Sequence, residues 1–130
     1  MITGLFAALL VLLYVKLALK VIKLRGALKV SLGDGGHSPL EQAIRAHANF
    51  AEYAPIGLFM LALIELNQAP MWFVGVLGCV LVMGRVIHAW AFSTIPENHI
   101  KFRVLGMKIT LGFLLISAAV LCIQFMMGLL

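Results

Sequence analysis

Four long apolar runs, separated by short polar breaks, take up almost all of this 130-residue chain. The first covers roughly residues 2–22 and continues, more polar, to about Val30, predicting a helix over 2–30. Gly33-Asp34-Gly35-Gly36 interrupts the pattern. Ser38-Pro39-Leu40-Glu41 then reads as a helix start, with Ser38 as N-cap, Pro39 at the first helical position and Glu41 reaching back as a capping box. The second helix is expected over 39–66. Asn67-Gln68-Ala69-Pro70 is short enough only for a hairpin between antiparallel helices. A third helix follows over 70–92, a turn over 93–98 carries Pro96, and a fourth helix fills 99–130. The whole chain, 1–130, reads as one domain.

Composition identifies the solvent of these helices. The chain is 63% hydrophobic and only 12% charged, with a mean hydropathy of +1.08, and a helix crosses the hydrocarbon with about 20 apolar residues. The expected fold is all-α, an integral membrane four-helix bundle. The net charge of +5 does not point to nucleic acid, because the basic residues sit at the ends of apolar runs and are not interleaved with aromatics on a polar surface. Lys16, Lys20, Lys23, Arg25 and Lys29 surround the first connection, and Lys101, Arg103 and Lys108 the third. The second connection and both termini carry none. By the positive-inside rule the two basic connections face the cytoplasm, with both termini and the Asn67 hairpin on the other side. Lys16 and Lys20 can lay their stems along lipid while their ammonium groups reach the headgroups. The basic residues follow the first apolar run and do not precede it, so that run reads as a retained span and not as a cleaved signal.

Candidate chemistry lies on the second and third helices. Arg45, Asn49 and Glu52 recur at intervals of four and three and fall on one helical stripe, with Tyr53 at its flank. Polar groups there face a protein interior or a water-filled cavity more cheaply than lipid. On the third helix Arg85 and His88 are one turn apart in an otherwise apolar run, and Phe92 extends the same face. Because the two helices run antiparallel, these groups share a depth with Arg25 and Arg103. Four arginines against one stripe carboxylate, Glu52, call for an anionic ligand, and Glu52 adds an ammonium group to it. A small zwitterionic peptide with two carboxylates fits. The competing structural reading makes the same residues contacts between helices. Cys79 and Cys122 lie in apolar runs without metal-ligand spacing or a neighbouring cation, which reads as core packing; no metal is expected, and the reacting sulfur belongs to a ligand.

The run Arg45-Ala46-His47-Ala48-Asn49-Phe50-Ala51-Glu52-Tyr53-Ala54-Pro55 resembles the signature of the MAPEG family, membrane-associated proteins in eicosanoid and glutathione metabolism. Arg25 to Val30, Gly33-Asp34-Gly35-Gly36, Gly84-Arg85-Val86-Ile87-His88 and Arg103-Val104-Leu105-Gly106-Met107 resemble further family features in the same order, and the similarity is closest to small bacterial inner-membrane members. The resemblance implies a homotrimer holding glutathione, as cosubstrate, between neighbouring subunits near the cytoplasmic face. It assigns glutathione binding to Arg25, Arg45, Asn49, Glu52, Tyr53, Arg85 and His88, with Glu52 near the amino group and Arg45 near a carboxylate. Arg103 takes the catalytic position, where a guanidinium favours the thiolate of a thiol whose ordinary pKa is about 8.5. The implied activity is that of a membrane-bound glutathione transferase, or glutathione peroxidase, acting on a lipophilic electrophile or hydroperoxide that arrives from the membrane lipid. Phe92 and Met107 stand where some eukaryotic members carry tyrosine. Two other readings remain open: a non-catalytic glutathione- or lipid-binding scaffold, and a small multidrug-type exporter. Exporters of that type place their carboxylate in the first span, where this chain has Lys16 and no acid.

Overall fold

The structure, a computed structural model, describes residues 1–93 and 100–128. Four helices account for most of them: α1 (Thr3–Leu28), α2 (Ser38–Leu66), α3 (Met71–Ser93) and α4 (Ile100–Gly128). Each is long and apolar enough to cross a membrane. The bundle is an integral membrane fold, with the polar breaks of the sequence at its ends. The expected turn through Pro96, the start of the fourth helix at His99 and its last two residues lie outside the described residues.

α2 packs against each of the other three helices, and the most extensive pairing joins α3 to α4. The core is a thin seam, with Leu10, Phe50, Leu61, Leu81 and Phe113 at its centre. Around it, large apolar side chains point outward, such as Leu12, Leu115 and Phe125. In water such a surface would aggregate; in a bilayer it is the lipid face. Cys79 and Cys122 also lie on this exposed side, which corrects the expectation that they pack in the core. Helices apolar all round give no sequence signal that separates a core face from a lipid face.

The α3–α4 pairing depends on Gly84 and Gly106. A Cβ on Gly106 would stand 2.7 Å from the backbone nitrogen of His88 and 2.9 Å from the carbonyl of Gly84. Close approach of small residues is how membrane helices gain contact when lipid competes for apolar surface. Gly106→Val should therefore lower the stability of the bundle by about 1–3 kcal/mol, the usual range for overpacking. Thermal unfolding in detergent reads the loss, and an unchanged midpoint would rule the contact out as a determinant.

Two helix ends differ from the expected pattern. α1 ends at Leu28 and not at Val30, because Lys29 turns left-handed (φ 54°) and Val30 N–H returns to the Arg25 carbonyl at 3.1 Å, closing a Schellman motif. The capping box at Ser38 does not form. The N-cap is His37, whose carbonyl receives the N–H groups of Leu40 and Glu41, and Ser38 Oγ accepts a bond from Gln42 Nε2 at 3.3 Å. The preceding turn, in which Gly36 N–H donates to Asp34 Oδ1 at 3.1 Å, delivers the chain one residue earlier than the sequence pattern indicates.

At the opposite end Glu65 accepts hydrogen bonds from the backbone N–H groups of Ile2 and Thr3. A carboxylate late in α2 thereby caps the positive end of the α1 dipole. Gln124 of α4 donates to the carbonyls of Ile64 and Asn67, tying the hairpin down. Both contacts close the end of the bundle away from the arginines.

Candidate functional site

Arg85 is the centre of the site. It lies on α3 two turns before the helix end and is 1% exposed, although it is charged and inside a membrane-spanning helix. Its Nε–H donates to Thr110 Oγ1 at 3.0 Å and Nη1 donates to Asn49 Oδ1 at 3.0 Å. Nη2 lies 3.5 Å from Met107 Sδ, and the guanidinium carbon stands 5.5 Å from the centroid of the Tyr53 ring, close enough for cation–π attraction. Each partner is neutral. The only ion pair among the described residues is at the other end of the bundle, between the Met1 ammonium and Glu65.

The local chemistry orients these partners. Thr110 gives its single hydroxyl proton to the Gly106 carbonyl at 2.9 Å, so its lone pairs are what Arg85 meets. A guanidinium only donates, which fixes the amide of Asn49 with its oxygen toward Arg85 and leaves its NH₂ for another acceptor. The Gly84–Gly106 contact brings α4 close enough for Thr110 to reach across.

A second group sits beside this one. His88 is 5% exposed and packs on Phe92 with ring centroids 5.2 Å apart. Arg103 of α4 lies over the same Phe92 ring, its guanidinium carbon 3.8 Å from the centroid. His88, Arg103, Met107 and Lys108 line an open groove of about 470 Å³ whose wall is completed by Val104 and Leu111. Met107 belongs to both groups, since its sulfur touches Arg85 and its side chain lines the groove.

The structure thus brings Asn49, Tyr53 and Arg85 into one contact, and His88 and Arg103 into a neighbouring one through Phe92. It does not bring Arg25, Arg45 or Glu52 into either. Arg25 donates through Nη1 to the carbonyls of Ser31 and Gly33 at 3.1 and 3.0 Å, where it holds the loop after α1. Arg45 and Glu52 are exposed on the face of α2 turned away from the chain's own core. Thr110 carries one of the two 3.0 Å hydrogen bonds to Arg85 and was missed in the sequence. Its signal was a hydroxyl residue one turn after Gly106 in an apolar span, the small-residue pattern of a close helix pair.

The arrangement is a cationic site with neutral internal partners, opening toward one end of a membrane bundle. Comparison with known proteins places the chain in a family. The inner membrane protein YecN of Escherichia coli (strain K12) is 38% identical over 110 residues, covering 85% of this chain and 82% of that protein. Its counterpart in Escherichia coli O6:H1 (strain CFT073) matches to the same degree. The family model for MAPEG proteins matches residues 3–123, a span that includes every residue of both polar groups, and the chain belongs to the MAPEG family.

Proposed function

We propose that this protein binds glutathione between subunits of a homotrimer and activates its thiolate for attack on hydrophobic electrophiles, as a membrane-bound glutathione transferase or peroxidase. The observation that supports the reading best is the buried Arg85, which has no carboxylate partner among the described residues. Burying an unpaired charge is expensive, and a set of neutral hydrogen-bond acceptors offsets only part of the cost. A carboxylate of the tripeptide would supply the rest. Arg45 and Glu52 support the subunit interface: charged groups exposed at membrane depth avoid lipid when a neighbouring copy covers them. In that assembly they meet the ligand from the second subunit, Arg45 at a carboxylate and Glu52 at the ammonium. The membrane is a bacterial inner membrane, and the basic helix ends orient the site toward the cytoplasm.

Thermal unfolding of the detergent-solubilised protein with and without glutathione tests the reading. The parent should be stabilised by glutathione, because a ligand that binds only the folded state raises its stability. Arg45→Ala and Glu52→Ala should each lose most of that gain while keeping the midpoint of the ligand-free protein. Absence of any glutathione-dependent shift in the parent would reject binding.

A further inference from the structure

Away from the glutathione site, a groove of about 600 Å³ runs between α1 and α3. Its mouth carries Lys23 and Trp90, its flank Lys16 and Lys20, and its floor Leu17 and Ala89. Lys16, Lys20 and Lys23 follow one another at intervals of four and three and so form a single stripe on α1. No carboxylate pairs with any of them among the described residues. Trp90 packs edge-on against Phe102, with centroids 5.4 Å apart, near the end of α3 where an indole marks the headgroup level.

The direction of α1 makes these lysines harder to neutralise than ordinary end charges. Lys16 stands twelve residues before Leu28, about 18 Å along the axis at 1.5 Å per residue, while the hydrocarbon is about 30 Å thick. In a helix the Cα–Cβ bonds lean toward the N-terminus, and α1 reaches the basic face with its C-terminus. Lys16 and Lys20 therefore start out inclined toward the membrane interior, and reaching the surface works against that inclination. An anion drawn into the groove would meet them closer to where they lie. The groove has the matching form, with lysines along its α1 rim, buried Leu17 and Ala89 at its floor, and Leu13 and Val86 continuing the apolar lining past Lys16 toward the membrane interior.

We propose that this groove is a specific site for an anionic phospholipid, with its phosphate among Lys16, Lys20 and Lys23 and an acyl chain running over Leu17 and Ala89 to Leu13 and Val86. Charge complementarity selects the occupant, since a zwitterionic lipid offers the lysines no net charge. The site is independent of glutathione binding.

The two tryptophans make the test direct. Trp72 lies at the start of α3 and Trp90 near its end, so a Trp72→Phe protein reports on the groove alone. In phosphatidylcholine vesicles, brominated phosphatidylglycerol should half-quench Trp90 at a mole fraction at least about fivefold lower than brominated phosphatidylcholine does, the factor one lysine contributes at an anionic surface. Replacing Lys16, Lys20 and Lys23 together by Gln should abolish the preference, and Lys20→Gln alone should reduce it at least twofold, so the outcome does not depend on the folding of the triple variant. Lys29→Gln with Lys101→Gln should leave it unchanged. Equal quenching by the two lipids in the parent, a preference that survives the triple variant, or one that vanishes in the Lys29 and Lys101 variant overturns the proposal.

Discussion

Replacing Arg85 by Met is expected to abolish glutathione-dependent stabilisation without destabilising the ligand-free protein. The two effects have opposite origins. Met keeps most of the volume of the side chain and removes the charge, and with it the cost of holding an unpaired charge in a buried site. Against this, Asn49 Oδ1 and Thr110 Oγ1 each lose a donor at 3.0 Å. Asn49 is partly exposed and can find water, and Thr110 keeps its bond to the Gly106 carbonyl, so the loss is contained. Binding has no such compensation. A carboxylate brought beside the apolar thioether of the variant would lose its partner, which costs about 2–5 kcal/mol for a buried charge-assisted contact. Thermal unfolding with and without glutathione separates the effects in one experiment. A variant that is less stable alone yet shifts as the parent does would mean that Arg85 is structural glue and that the ligand binds elsewhere.

The legibility of the sequence followed the physics of each element. Spans were legible because a bilayer demands long apolar runs, and the breaks at Gly33–Gly36 and Asn67–Pro70 fell where the structure has its connections. The depth that Arg85 shares with the start of α2 could be read from antiparallel geometry, whereas its hydrogen bond to Asn49 could not. Which way a helix faces could not. Residues 71–84 of α3 and 111–123 of α4 carry no charge on any side, so Cys79 and Cys122 looked equally like core residues, and both turned out exposed. The roles of Thr110 and Glu65 were equally hidden, since each acts on a residue far away in sequence, Arg85 and the start of α1 respectively. Long-range contacts of that kind depend on the register between helices, here set by the Gly84–Gly106 approach, and a single sequence does not display register.

Arg45 and Glu52 show the same limit from another direction. Their stripe was visible from spacing, and it was expected to face a protein interior or a water-filled cavity, but within the chain Arg45 and Glu52 face outward. A polar stripe on the outside of a membrane helix is incomplete on its own, as Arg85 is incomplete on the inside. In the proposed homotrimer each would meet what the neighbouring subunit brings. This is why substitutions at Arg45 and Arg85 should both reduce glutathione binding although the two residues make no contact within the chain.

Arg103→Ala should lower conjugation to an electrophilic acceptor of the chlorodinitrobenzene type by about a hundredfold or more, the usual effect of removing one group that stabilises developing or reacting anionic charge. Glutathione affinity should change by less than about threefold, the separation expected when a residue acts on the reacting atom and not on binding. The geometry is consistent with such a division. Arg103 is exposed at the groove, its guanidinium steadied by the Phe92 ring at 3.8 Å and paired with no carboxylate among the described residues, whereas Arg85 is enclosed and hydrogen-bonded. Arg103→Lys should recover part of the rate, because the positive charge returns without the planar group that stacks on the ring. The ultraviolet absorbance of bound thiolate gives an independent reading: it should appear when glutathione is added to the parent, fall in Arg103→Lys and vanish in Arg103→Ala. Bound glutathione that stays fully protonated in the parent would make the protein a binder of the tripeptide without thiolate activation, and Arg103 a group for holding the end of α4 against α3.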